Sequence, residues 1–209
     1  MTKKNLAVEL SKFHVLDDAK QKLEQYSTDS ETAATMLWAA HMQEWIEGKY
    51  VVDLGAGTGI LGIGCLLMGA RKVVFVEKDK DAIILLRKNI KKLTEEYEIH
   101  AEIRIEHRDI NEIFPSEFGK VDLVIQNPPF GTQEKNVDAL FLSKAMVLSD
   151  RVITMHKTIT RAFIRSLAYS NGFSEFRCFD FDYPLKMTLP QHKKKIEYIK
   201  VSCWFLEKK

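Results

Sequence analysis

The chain has 209 residues, 45% of them apolar and 29% charged, with a formal net charge of +2. Such a length suits one α/β domain with a small extension, at roughly 100–200 residues per domain, and such a composition suits a soluble globular core. It excludes a bilayer span, since no apolar run approaches ~18–20 residues, and the scattered Cys65, Cys178 and Cys203 exclude both a disulfide framework and a C-x-x-C zinc site while fitting a reducing cytoplasm. Basic residues at Lys3 and Lys4 are not followed by a long apolar stretch, so no signal peptide is expected.

The first 48 residues read as a helical extension. Leu6, Leu10 and Phe13, then Ala19, Leu23 and Tyr26, recur at helix-like spacings. Thr28 and Glu31 form a T-x-x-E capping box ahead of a second periodic stretch with Met36, Leu37 and Ala40. Trp38 and Trp45 are expected to pack this extension. From residue 49 onward the pattern becomes strand, helix, strand, helix. Apolar runs at Val51–Leu54, Val73–Val76, Ile103–Ile105, Val121–Ile125 and Val152–Met155 alternate with amphipathic stretches, notably Lys80–Tyr97 and Asp138–Leu148. This alternation predicts an α/β fold with a mostly parallel sheet and helices on both faces. Phe179, Phe181 and Tyr183 alternate with Asp180 and Asp182, and Ile196–Phe205 reads as one more strand. Two late strands without an intervening helix predict an antiparallel pair at one sheet edge.

The run Val51-Val52-Asp53-Leu54-Gly55-Ala56-Gly57-Thr58-Gly59 carries a strand into a glycine-rich turn and a helix. Glycine permits a sharp turn and a close ligand approach, and the helix N-terminus offers unpaired N–H groups. A dinucleotide pyrophosphate fits there, and so does a cofactor with a zwitterionic amino-acid tail. Gly57–Gly62 also satisfies G-x-G-x-x-G, which alone is weak. Glu77, at the end of the next strand, can accept hydrogen bonds from ribose hydroxyls under either reading. After the third strand, Asp109 can accept from an adenine amine and Ile110 can pack on the ring. Asp53, Gly55, Gly57, Glu77, Asp109 and Ile110 are therefore the candidate cofactor residues, with Asn127 beside them.

Asn127-Pro128-Pro129-Phe130 closes the fourth strand and is the most informative stretch. Two prolines fix φ and supply no N–H, leaving carbonyls as acceptors. The Asn127 amide oxygen and the Pro128 carbonyl can each accept one hydrogen of an aryl amine such as adenine N6. That favours a pyramidal nitrogen with its lone pair turned toward a methyl donor, while Phe130 stacks on the base. Asn127, Pro128, Pro129 and Phe130 are the candidate catalytic residues.

Together these motifs resemble class I (Rossmann-like) S-adenosylmethionine-dependent methyltransferases of the N6-adenine type. More closely, the chain resembles the small single-domain methyltransferase-like family that modifies an adenosine in small-subunit ribosomal RNA, archaeal members included. The resemblance runs through Leu23–Thr28, the glycine turn, Asn127–Thr132, Asp138–Leu142, Met155-His156-Lys157 and His192–Lys195. It implies S-adenosyl-L-methionine as cofactor, with Gln25, Tyr26 and Thr28 closing over it. Ser27 stands where the family usually has proline, Ala56 replaces a frequent cysteine, and Tyr183–Gln191 matches poorly. It also implies one methyltransferase domain over 1–209, with the catalytic core at 49–209. A partner is implied too, a small zinc-binding activator protein pairing along Ala101–Glu106, where apolar and charged residues alternate as edge strands require.

Phe130, Lys157, His192, Lys193, Lys194 and Lys195 are the candidate RNA contacts, the lysines as phosphate partners. His156 reads as a structural histidine, because no partner ligands appear at metal spacing, and no metal site is expected. Two other functions share parts of this pattern. A glutamine-N5 protein methyltransferase orients a side-chain amide with the same motif, usually followed by tyrosine. A noncatalytic nucleotide- or RNA-binding module would keep the fold, although the intact Asn127 and glycine turn argue against it.

Overall fold

The computed structural model describes residues 1–15, 28–130, 137–186 and 196–209. Five strands run parallel: β1 (Tyr50–Leu54), β2 (Lys72–Glu77), β3 (Glu102–His107), β4 (Leu123–Gln126) and β5 (Arg151–Lys157). Two longer ones, β6 (Phe173–Lys186) and β7 (Ile196–Lys208), form an antiparallel ribbon. The sheet order is β3-β2-β1-β4-β5-β7-β6, with β7 antiparallel to β5. The order reverses between β1 and β4, and in open α/β sheets that switch point opens a crevice beyond the strand ends.

Successive strand residues point to opposite faces, and two apolar cores follow from that. Val51, Val73, Phe75, Leu123, Ile125, Met155 and Phe205 face one core. The helices α1 (Lys3–Leu10), α2 (Ser30–His41), α3 (Ile60–Leu67) and α4 (Lys80–Glu96) supply its other side. Val52, Leu54, Val74, Val124 and Trp204 face the second core, under α5 (Val137–Leu148) and α6 (Arg161–Ser170). The central strands β1, β2 and β4 are buried on both faces, as parallel strands between helical layers must be. By contrast β3 pairs, among the described residues, with β2 alone and mixes exposed and half-buried residues, so it is an edge.

Two expectations need correction. The capping box at Thr28 and Glu31 does not form. Asp29 caps α2, its carboxylate accepting from the Glu31 and Thr32 N–H groups at 3.1 and 3.0 Å. The late strands are also longer than the sequence pattern predicts. A bulge between Glu175 and Arg177 breaks the two-residue period of β6, hiding its first half, and α6, which the sequence reading did not single out, precedes it. Trp45 is buried against Phe205, and Trp38 packs on the same core. Among the described residues, no helix is long and apolar enough to cross a membrane.

Candidate active site

The glycine turn after β1 is stitched down by backbone bonds. Gly55 and Ala56 N–H both donate to the Val76 carbonyl at the end of β2, at 2.9 and 3.0 Å. Gly59 adopts φ +88°, and a Cβ there would lie 2.3 Å from Leu86 Cδ1. Only glycine allows both that backbone and that approach by α4. Gly57 also has positive φ, +56°, but a Cβ there would meet nothing within 4 Å. Open space therefore lies in front of Gly57, where a ligand can come up against the main chain.

Two carboxylates hold this turn. Glu77 Oε2 accepts from the Gly57 N–H at 2.7 Å, and its Oε1 accepts from the Lys78 and Asp79 N–H groups, both at 2.8 Å. Three bonds leave a carboxylate room for another acceptor contact. Asp53 Oδ2 accepts from Gly62 N–H at 2.8 Å, in the first turn of α3. Burial pushes the Asp53 carboxyl up to about 7, against the pull of that N–H, and the neighbouring Glu77 charge pushes the same way. Asp109 caps a short 3-10 turn. The Asn111 N–H, helped by the Lys78 ammonium at 3.5 Å, holds its carboxyl below the usual carboxylate range despite partial burial. Ile110 is buried in the second core, beside this carboxylate.

On the other side of the crevice, β1 and β4 run in register from Val51–Leu123 to Asp53–Ile125, so Asn127 emerges beside the glycine turn. Its Nδ2 donates to Thr28 Oγ1 at 3.0 Å and to the Tyr183 hydroxyl at 3.3 Å. Phe130 is buried, and its ring stands edge-on to Tyr183, with centroids 5.8 Å apart at 89°. Thr28, expected over the cofactor, thus reaches Asn127. Lys157 ends β5, one strand over from Asn127, and is half-buried. Gln25, Tyr26, Ser27, His192, Lys193, Lys194 and Lys195 lie outside the described residues.

Sequence reasoning missed three participants. Tyr183 was read as part of a strand and as the start of a segment that matches the family poorly, and nothing local marks it as a partner of Asn127. Asn89, buried in α4, accepts from His14 N–H at 2.8 Å and donates to the His14 and Thr58 carbonyls, both at 2.9 Å. It fastens the chain ahead of Thr28 to the glycine turn. A buried asparagine inside an amphipathic helix was the available signal. The third is Asp138. His156 is fully buried, with Thr154 Oγ1 at 2.9 Å from Nε2 and Asp138 Oδ2 at 3.8 Å from Nδ1, too far for a hydrogen bond. Burial lowers the His156 pKa, and Asp138 opposes that only in part. His156 is therefore held in its neutral form between Thr154 and Asp138. Among the described residues no cluster suited to a metal ion is found.

Comparison with known proteins agrees with this geometry. The family described as "Conserved hypothetical protein 95" matches residues 30–172. The rRNA N(6)-adenosine-methyltransferase Mettl5 of Drosophila melanogaster is 36% identical over 197 residues, covering 91% of this chain and 89% of that protein. The chain belongs to this family of methyltransferases. Its zebrafish member, METTL5 of Danio rerio, is 35% identical and covers 88% of each chain. Among solved structures, PH1948 of Pyrococcus horikoshii, a candidate RNA methyltransferase, superposes with a TM-score of 0.87 at 38% identity, over 100% of this chain and 98% of that one. Family membership makes the chain a class I methyltransferase, and the sheet order and glycine turn are those the fold requires.

Proposed function

We propose that this protein transfers the methyl group of S-adenosyl-L-methionine to the N6 amine of an adenosine in small-subunit ribosomal RNA. The observation that carries the reading is the Asn127 amide, fixed at the end of β4 beside the glycine turn. Relatives covering nearly the whole chain are rRNA adenosine methyltransferases, which favours a nucleic acid over a glutamine side chain.

The cofactor residues fit the group. The space before Gly57 admits an amino-acid tail, the buried Glu77 offers an acceptor for ribose hydroxyls, and Asp109 with Ile110 suits an adenine. Asp53 supplies a buried carboxyl group behind the turn. Thr28, together with Gln25 and Tyr26, is assigned to the cofactor by the family resemblance. When bound, S-adenosylmethionine supplies an electrophilic methyl on a sulfonium.

The chain's own work is orientation. Asn127 Oδ1 and the Pro128 carbonyl each accept one N6 hydrogen, Pro129 stiffens the loop, and Phe130 contacts the base. The nitrogen lone pair then points along the line of transfer. With S-adenosylmethionine bound, that lone pair would face the methyl group the cofactor supplies, and the amine held by Asn127 and Pro128 would release its proton to solvent after transfer. No strong base is required, and holding the reacting atoms within ~3–3.5 Å supplies much of the acceleration. Lys157, His192, Lys193, Lys194 and Lys195 hold RNA phosphates. The edge strand β3 accepts a strand of a small zinc-binding activator protein, and the site of action is the cytoplasm. Residues 1–209 act as one methyltransferase domain with its core at 49–209.

Single-turnover methylation of a ribosomal RNA fragment, with the activator present, tests this reading. Asn127→Ala should slow transfer by about 100-fold or more, the scale seen when one oriented polar group is removed from a reacting centre. Cofactor affinity should change little. Transfer at the wild-type rate would sink the mechanism.

A further inference from the structure

An asparagine amide has two ends of nearly equal size and opposite function. Turned one way, Asn127 offers a carbonyl oxygen to the target amine. Turned the other way, it offers N–H against N–H, which repels. The adjacent backbone supplies no N–H to choose between them, because the next two residues are prolines. Something outside β4 must decide.

We propose that Thr28 and Tyr183 are positioning residues that set which end of the Asn127 amide faces the substrate. The proposal rests on Asn127 orienting the target amine. Nδ2 carries two hydrogens, and two hydroxyls lie within reach of it, Thr28 Oγ1 at 3.0 Å and Tyr183 Oη at 3.3 Å. In that arrangement Nδ2 is the end turned toward these hydroxyls, and Oδ1 is the end turned away from them. Thr28 is 4% exposed and Tyr183 1%, so water does not compete for these bonds. Tyr183 also meets Phe130 edge-on, so one side chain orients both the amide and the ring beside it.

The helix ahead of the site supplies a second, independent observation. Thr28 and Glu31 have the spacing of a capping box, yet Asp29 caps α2 instead. A threonine hydroxyl withdrawn from a local role it fits well and pointed at a residue 99 positions away is a local rule yielding to a functional site.

The alternative is that these bonds merely tie the N-terminal segment to the core. Single-turnover rates at saturating S-adenosylmethionine and RNA separate the two, together with cofactor dissociation constants and thermal melts. Thr28→Val keeps the shape and removes the hydroxyl, Thr28→Ser keeps the hydroxyl, and Tyr183→Phe keeps the ring. Thr28→Val and Tyr183→Phe should each slow transfer by about 3- to 10-fold, as loss of one hydrogen bond does. Thr28→Ser should stay close to wild type. Asn127→Ala serves as the control. If it transfers normally, the reading of Asn127 fails and this inference falls with it. If it is inactive while both Thr28→Val and Tyr183→Phe keep the wild-type rate, only the inference is overturned. It is also overturned if Thr28→Ser falls as far as Thr28→Val. Should Thr28→Val fail to fold, Tyr183→Phe alone decides.

Discussion

The two loops facing each other across the crevice are held by different parts of the chain. The turn after β1 is fastened through its own main-chain N–H groups: Gly55 and Ala56 donate to the Val76 carbonyl, and Gly57 and Gly62 donate to the Glu77 and Asp53 carboxylates of the adjoining strands. The end of β4 is fastened by side chains, with Thr28 and Tyr183 reaching Asn127 from 99 and 56 residues away. A cofactor common to many enzymes needs a cradle of fixed shape, and backbone bonds within one β-α-β unit provide it. Substrate chemistry needs one functional group aimed in one direction, and side chains from distant segments can be changed one at a time to aim it.

That contrast can be broken most sharply at Glu77, which holds the turn and, in the proposed function, also accepts from the cofactor ribose. Glu77→Ala removes the acceptor of Gly57 N–H together with the proposed ribose contact. At roughly 1.5–3 kcal/mol for each bond to a charged acceptor, cofactor affinity should fall by about 100-fold or more. Calorimetric titration with S-adenosylmethionine checks this, and an unchanged dissociation constant removes Glu77 from the site.

Next in size is Gly59→Ala. Its positive φ and the Leu86 methyl behind it should together lower stability by about 2–4 kcal/mol. Gly57→Ala shares the backbone strain but meets open space, so about 1 kcal/mol is expected, alongside a clear loss of cofactor binding. Urea denaturation of the two variants compares them, and equal losses would mean that Gly57 does not face a cavity.

The smallest effect per step concerns Asp53. Its folded-state pKa, about 7, lies above the ordinary carboxylate value. The folded protein therefore binds that proton more tightly than the unfolded chain does. Stability from Asp53 is complete below the usual carboxylate range and is lost as pH rises toward 7, by up to about 1.4 kcal/mol per pH unit. Relative to Asp53→Asn, the wild type should weaken through that window and level off above it. Denaturation of both proteins across pH measures the slope, and parallel curves would show that Asp53 ionises normally. Saturating S-adenosylmethionine should flatten the slope if the buried charge supports the cofactor.

Much of this molecule was written in contiguous residues. The glycine turn, Glu77 one strand later and Asn127-Pro128-Pro129-Phe130 are short motifs whose meaning depends on spacing along the chain, and hydrophobic runs marked all five parallel strands. These features are legible because a β-α-β unit brings strand ends together by a fixed rule of handedness and order. The tertiary structure decided the rest. It inserted β7 between β5 and β6, and a bulge blurred the alternation that would have announced β6. It withdrew Thr28 from the cap its spacing suggested and paired it with Asn127, and it brought Tyr183 to the same amide. It set Asn89 between His14 and Thr58, and His156 beside Asp138. Each of those contacts joins residues whose separation carries no periodic signal. A hydrogen bond between side chains depends on where the sheet and helices finally place them, and local sequence does not encode that distance.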